Sequence, residues 1–153
     1  MSRRKFTPPI TFTYISKLIG VSMTEEILIL LVVLLLLFIM TAIQVMITMK
    51  NYGSVTALGG RDNIPYLQPG LGGRLHRAIT NLKEGLHIFT PLILLTAILD
   101  ISNDSTLLGA QIYLVARILH PPLYLSGIVS LRTAAFTLGL FGLGMIARGL
   151  FIG

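Results

Sequence analysis

Two arginines, an asparagine and a glutamate stand at the head of an apolar segment, in the run Gly73-Arg74-Leu75-His76-Arg77-Ala78-Ile79-Thr80-Asn81-Leu82-Lys83-Glu84. Residues three, four and seven apart share one face of a helix, and Arg74, Arg77, Asn81 and Glu84 keep that spacing. Arg77 offers a planar fork of donors suited to a carboxylate. Asn81 brings both a donor and an acceptor, and Glu84 can accept from an ammonium group. A ligand carrying carboxylates and an amine would satisfy the whole set. A plainer role fits the same residues, in which Arg77 and Glu84 pair with neighbouring helices and hold a bundle together. Spacing alone does not separate the two.

A second stripe follows at Tyr113, Arg117, His120 and Tyr124, spaced by four, three and four. Arg117 lies well inside an apolar run, so it should face a bundle interior or a water-filled cavity. His120 taken alone reads as a satisfied interior histidine, and Tyr113 and Tyr124 fit an interfacial aromatic belt equally well. Arg132 opens the last apolar segment beside Thr133. A fixed guanidinium there could stabilise an anion such as a thiolate and so raise the population of the nucleophile. It could equally snorkel to headgroups, which is the better account of Arg148, a residue with no polar companion one turn away.

Other chemistries find little support. His76, His87 and His120 lack metal-ligand spacing. Gly70-Leu71-Gly72-Gly73 lacks the Lys-Ser/Thr of a phosphate loop, and no serine sits in a nucleophile elbow. There is no cysteine, so any sulfur chemistry must use a sulfur supplied by a ligand.

The elements that must position these residues are those of a membrane protein. The chain has 153 residues, 54% of them hydrophobic, and a mean hydropathy of +0.83. That is too apolar for an ordinary soluble domain. The formal charge of +6 would suit nucleic acid, but only 12% of residues are charged and no basic run is long. Basic loops that fix membrane orientation account for that charge better.

Residues 27–49 are nearly all apolar, long enough to cross a hydrocarbon core of roughly 30 Å at about 1.5 Å per residue. Residues 50–73 are rich in Gly and Pro and read as a loop. A second helix is expected from about Gly73 to Leu99, kinked at Pro91, and a third from Thr106 to His120, bent or interrupted by Pro121-Pro122. The fourth runs from Leu131 to Ile152 and carries Gly139, Gly142 and Gly144, which let backbones approach closely. The expected fold is an all-α membrane protein, a four-transmembrane-helix bundle. No internal repeat is visible, which argues against a carrier.

Residues 1–22 are basic without a long apolar core. They read as an N-terminal extension to a domain at 23–153, with Met23 as an alternative start. The cationic loops between the first and second helices and between the third and fourth are expected in the cytoplasm.

The sequence Arg74-x-x-Arg77-Ala78-x-x-Asn81-x-x-Glu84 resembles the signature of the MAPEG family, the membrane-associated proteins in eicosanoid and glutathione metabolism. Tyr124-Leu125-x-Gly127-Ile128-x-x-Leu131-Arg132-Thr133-x-x-Phe136-x-x-Gly139 resembles its second motif. Arg61-Asp62 with Pro65 and Pro69 resembles the loop of its bacterial members. The likeness covers residues 24–153. It implies a homotrimer of four-helix protomers, in a bacterial inner membrane, with glutathione bound between neighbouring subunits on the cytoplasmic side.

The resemblance further implies that Arg74, Arg77, Asn81, Glu84, Tyr113, Arg117, His120 and Tyr124 hold glutathione, and that Arg132 is the catalytic thiolate stabiliser. No metal and no nucleic acid are implied. The implied activity is that of a glutathione-dependent transferase or peroxidase acting on lipophilic electrophiles or lipid hydroperoxides that arrive through the membrane lipids. The family also includes a non-catalytic, lipid-binding scaffold, and a purely structural or transport role remains a third reading. Gly85 and Thr80 depart from residues found in some members, and Pro121-Pro122 falls between two site positions.

Overall fold

A computed structural model of the chain describes residues 23–59 and 70–152. The N-terminal extension and the Arg61-Asp62 loop with Pro65 and Pro69 lie outside the described residues. The helices are α1 (Glu25–Tyr52), α2 (Ser54–Leu58), α3 (Gly70–Ile98), α4 (Asp104–Ser126) and α5 (Val129–Ile152), with no strand among the described residues. The four long helices form a bundle in which α3 and α4 are central. α1 packs on α3 and α4, α5 packs mainly on α4, and α1 and α5 do not meet.

By length and apolar composition α1 and α5 qualify as membrane spans. The other two long helices carry the polar stripes that dilute their hydropathy. The outward faces are strongly apolar: Phe38 is 71% exposed and Met46 68%. A soluble monomer rarely shows so large an uncovered apolar surface.

Two of the long helices, α1 and α4, have local caps. Thr24 caps α1, its hydroxyl accepting from the Ile27 N–H at 3.4 Å, and Glu25 and Glu26 sit in the first turn, where negative charge suits the helix dipole. Asn103 caps α4 through a capping box with Thr106. Gly127 ends α4 at φ 81°, a left-handed turn that glycine adopts without steric cost.

Of the two expected effects of Pro121-Pro122, a bend or an interruption, the interruption does not occur: both prolines lie inside α4, which runs on to Ser126. They forgo two adjacent backbone donors, but the helix is held beyond them. Arg74 Nη1 of α3 donates to the Leu125 carbonyl at 2.8 Å. The loop expected over residues 50–73 is also shorter than its composition implies, since α1 continues to Tyr52 and α3 starts at Gly70.

α4 and α5 pack backbone against backbone. A Cβ on Gly109 would lie 2.7 Å from the Gly142 carbonyl, and one on Gly142 would lie 2.7 Å from the Gly109 carbonyl. Ala135, Gly139, Gly142, Ile146 and Gly149 make the buried stripe of α5, the small-residue seam that membrane helices use where lipid offers no hydrophobic drive to associate.

At the end where α1 begins and α3 passes into α4, the fold buries a carboxyl that sequence reading did not single out. Glu26 is completely buried. Its Oε1 accepts from Ser102 Oγ and Thr106 Oγ1, each at 2.8 Å, while Oε2 has no partner. Asn103 Nδ2 donates to the Gly149 carbonyl at 3.0 Å and Ser105 Oγ to the Met145 carbonyl at 2.9 Å. These bonds tie α1, α4 and α5 together far from the basic end.

Candidate functional site

The basic end holds a cleft of about 480 Å³ between α3, α4 and α5. It falls within the usual range of small-molecule pockets, roughly 300–1,000 Å³. α3 contributes His76, Arg77, Thr80, Asn81 and Glu84; α4 contributes His120 and Tyr124; α5 contributes Arg132, Thr133 and Phe136. Arg77, Thr80, Glu84, Thr133 and Phe136 are exposed, so the cleft opens sideways on the bundle surface.

The predicted residues divide into a lining set and a supporting set. Arg77, Asn81, Glu84, His120, Tyr124 and Arg132 share the cleft. Arg74, Tyr113 and Arg117 do not line it. Arg74 holds the end of α4 through the Leu125 carbonyl. Tyr113 is fully buried and stacks on Phe89, ring centroids 4.0 Å apart and planes 14° apart. Arg117 lies over the other side of that stack, its Cζ 4.7 Å from the Tyr113 ring centre, an arrangement that favours a cation electrostatically.

Arg117 is the hinge of this arrangement. It is 2% exposed, and its Nη1 donates to Asn81 Oδ1 at 2.9 Å. A guanidinium has only donors, so the Asn81 atom facing it must be oxygen. The Asn81 amide N–H2 is therefore left to serve the cleft.

Gly85 explains how Arg117 gets there. A Cβ at Gly85 would fall 2.5 Å from Arg117 Nη2 and 2.7 Å from the Tyr113 hydroxyl. A Cβ at Gly139 would come within 3.4 Å of the same Nη2. The guanidinium thus passes between two glycines, one on α3 and one on α5. The Tyr113 hydroxyl and Arg117 Nε have no hydrogen-bond partner.

On the other wall, Arg132 Cζ lies 4.7 Å over the Tyr124 ring, and the His120 and Tyr124 rings meet at 5.5 Å, tilted by 50°. Tyr124 thereby fixes the direction of a flexible cation at the first turn of α5. The local charge is mixed: Arg77 and Arg132 are cationic and Glu84 is anionic, with neutral donors from Asn81 and Tyr124. Such a lining suits a zwitterionic peptide-like anion better than a simple anion or a metal. No group of three or more His, Asp or Glu side chains among the described residues could hold a metal ion.

Four lining residues were not among those expected: His76, Thr80, Thr133 and Phe136. Helical spacing held the signal. His76 and Thr80 flank Arg77 on α3, and Phe136 stands four residues after Arg132. Thr80 and Thr133 turn their hydroxyls back to the carbonyls of His76 and Val129, at 3.1 and 3.0 Å.

The charged face at the head of α3 and the Arg132 motif at the head of α5 thus meet at one cleft, as their resemblance to a single family requires. Comparison with curated proteins and with solved structures returned no match. A profile of the MAPEG family matches residues 27–152, from the third residue of α1 to the last of α5, and the chain therefore belongs to the MAPEG family.

Proposed function

We propose that this protein is a membrane-bound glutathione-dependent transferase or peroxidase acting on lipophilic electrophiles or lipid hydroperoxides. The observation that carries this reading is the convergence of Arg77, Asn81, Glu84, Tyr124 and Arg132 on one cleft. Glutathione has two carboxylates, one ammonium and one thiol. Arg77 and the Asn81 amide supply donors for carboxylate, and Glu84 accepts from the ammonium. Arg132, held by Tyr124, is left to face the sulfur. Arg74, Tyr113 and Arg117 support the site from behind the wall, and His120 shapes its floor beside Tyr124.

The chemistry asked of the protein is limited. A free thiol has a pKa near 8.5, and a nearby fixed cation favours the thiolate. The thiol proton leaves to solvent. The sulfur lone pair attacks an electrophilic carbon, an S–C bond forms, and a leaving group such as chloride departs with its electron pair. With a hydroperoxide, the thiolate attacks the distal oxygen, giving an alcohol and a sulfenic acid. A second glutathione then converts the sulfenic acid to a disulfide and water. Orientation supplies the rest, since both reactants are held rather than colliding.

Further parts of the proposal are a homotrimer, in which a neighbouring protomer closes the lateral opening, and a bacterial inner-membrane location. The cleft end, with Lys50, Arg74, Arg77 and Arg132, would face the cytoplasm, and the Asp100 and Asp104 end would face outward. The non-catalytic scaffold reading drew on Gly85 and Pro121-Pro122. Both have structural accounts: Gly85 makes room for Arg117, and the prolines lie within a continuous α4.

The test is direct. Protein purified in detergent should conjugate glutathione to a chlorinated nitroaromatic, and glutathione should raise its melting temperature by mass action. Loss of both would defeat the reading. Thermal stabilisation by fatty acid without any by glutathione would favour the scaffold.

A further inference from the structure

Gln111 lies on the outward face of α4 and is exposed. It makes no hydrogen bond with any described residue. Its depth follows from its neighbours. Thr106 bonds to Glu26, at the level where the apolar run of α1 begins. Gln111 stands five residues further along α4, and so about 7 Å deeper.

Other neutral polar groups that face outward from the long helices are satisfied within their own helix. The exposed hydroxyls of Thr41, Thr80, Thr133 and Thr137 each donate to the carbonyl four residues back, at 2.8, 3.1, 3.0 and 3.0 Å. The Gln111 carboxamide has two donors and an acceptor and makes no such return bond. An amide left unpaired in hydrocarbon is costly, and a second helix that pairs with it recovers part of that cost. Around Gln111 runs a stripe of exposed residues, Leu108, Gln111, Val115, Ile118 and Pro122, spaced by three, four, three and four. That alternation is the seam along which two parallel helices pack at about 20°. A single polar residue inside such a seam fixes its register.

We infer that this stripe docks against the same stripe of a second copy of the chain. Copies inserted in one orientation hold Gln111 at one depth. A two-fold axis along the membrane normal then sets each residue of the stripe against itself. The carboxamide is its own complement, because each Gln111 donates an N–H to the other's side-chain carbonyl. Leu108 and Val115, one turn to either side, pack on their counterparts. A partner offering only donors or only acceptors would satisfy half of the group. The stripe shares no residue with the polar cleft, so the inference does not rest on the glutathione reading.

The chain contains no cysteine, so a single introduced thiol reports its own neighbours. Leu108→Cys and Val115→Cys stand on the stripe, and Leu140→Cys, exposed on the outward face of α5, is the reference. The full-length protein is oxidised in liposomes at high lipid dilution, and disulfide-linked dimers are followed with time. Both stripe positions should cross-link rapidly and the reference slowly. Adding Gln111→Leu to either stripe variant should slow cross-linking about tenfold, the loss of an interhelical hydrogen-bonded pair. Gln111→Asn, which keeps a carboxamide, should retain part of the rate.

Equal rates at all three positions would mean random collision in the bilayer. Slow cross-linking at both stripe positions would mean that lipid or a different protein covers the face. A rate untouched by Gln111→Leu would mean that the carboxamide reaches back to the headgroups and holds no partner. Each of these results overturns the inference. Should a stripe variant fail to fold, Ile118→Cys on the same stripe gives the same decision. None of these readouts uses glutathione, so failure here and failure of the proposed activity are told apart.

Discussion

Arg117 and Glu26 are both ionisable and both buried, Arg117 near the middle of α4 behind the cleft and Glu26 at the first turn of α1. They differ in what surrounds them. One oxygen of Glu26 accepts from the hydroxyls of Ser102, in the turn that joins α3 to α4, and Thr106, in the first turn of α4. It does not line the polar cleft. Arg117 has one hydrogen bond, to Asn81, an aromatic face beneath it, and glycines on two sides. Its single bond runs to a residue that lines the cleft. Burial is thus set against assembly for Glu26 and against site geometry for Arg117. A buried charge is informative through what its partners do next.

That contrast can be broken or sharpened by substitution. The largest expected effect is at the cleft. Arg132→Ala should lower the conjugation rate by about 10²-fold, the order of loss seen when one charge-stabilising donor is removed from an active site. Its melting temperature should be unchanged; a matched fall in stability would make Arg132 a structural residue instead.

Next comes Gly85→Ala. Its Cβ cannot coexist with Arg117 in its present place, and overpacking of this kind costs about 1–3 kcal/mol. Glutathione affinity, measured by calorimetry, should fall about tenfold because the Asn81 amide loses its orientation.

At the far end the pattern should invert. Glu26→Ala removes the acceptor shared by the buried Thr106 hydroxyl and the exposed Ser102 hydroxyl, a loss of about 1 kcal/mol visible in thermal unfolding, while the rate per folded molecule holds. Glu26→Gln, which keeps an acceptor, should recover part of that stability. If Glu26→Ala instead slowed conjugation without unfolding the protein, the division between the two ends would fail. The smallest effect is expected from Asn103→Ala, which removes a cap worth about 1 kcal/mol and should be silent in glutathione binding.

Much of this was legible in the sequence, for identifiable reasons. Helical periodicity placed Arg77, Asn81 and Glu84 on one face, and apolar length placed α1 within two or three residues at each end. Periodicity orders residues only along one helix, however. It put Arg74 on the same face as Arg77 but could not show that the Leu125 carbonyl would claim it. It aligned Tyr113 and Arg117 with His120 and Tyr124, yet the first two sit behind the wall that the last two line. Gly85 looked like a missing side chain until Arg117 was seen occupying that space. Pro121-Pro122 looked like a break because local propensity ignores what α3 holds in place beyond it. Glu26 gave no signal at all, since its partners lie 76 and 80 residues away.

The Gly109–Gly142 contact has one more consequence. Two helices that meet this closely, with no room for even a Cβ between them at these glycines, have little slack in which to shift against each other. His120, Tyr124 and Arg132 are therefore carried on one stiff jaw formed by α4 and α5. Any widening that admits a bulky guest must come from the α3 side, which makes Arg77 and Glu84 the moving teeth and the Arg74 tether to Leu125 the latch that limits their travel.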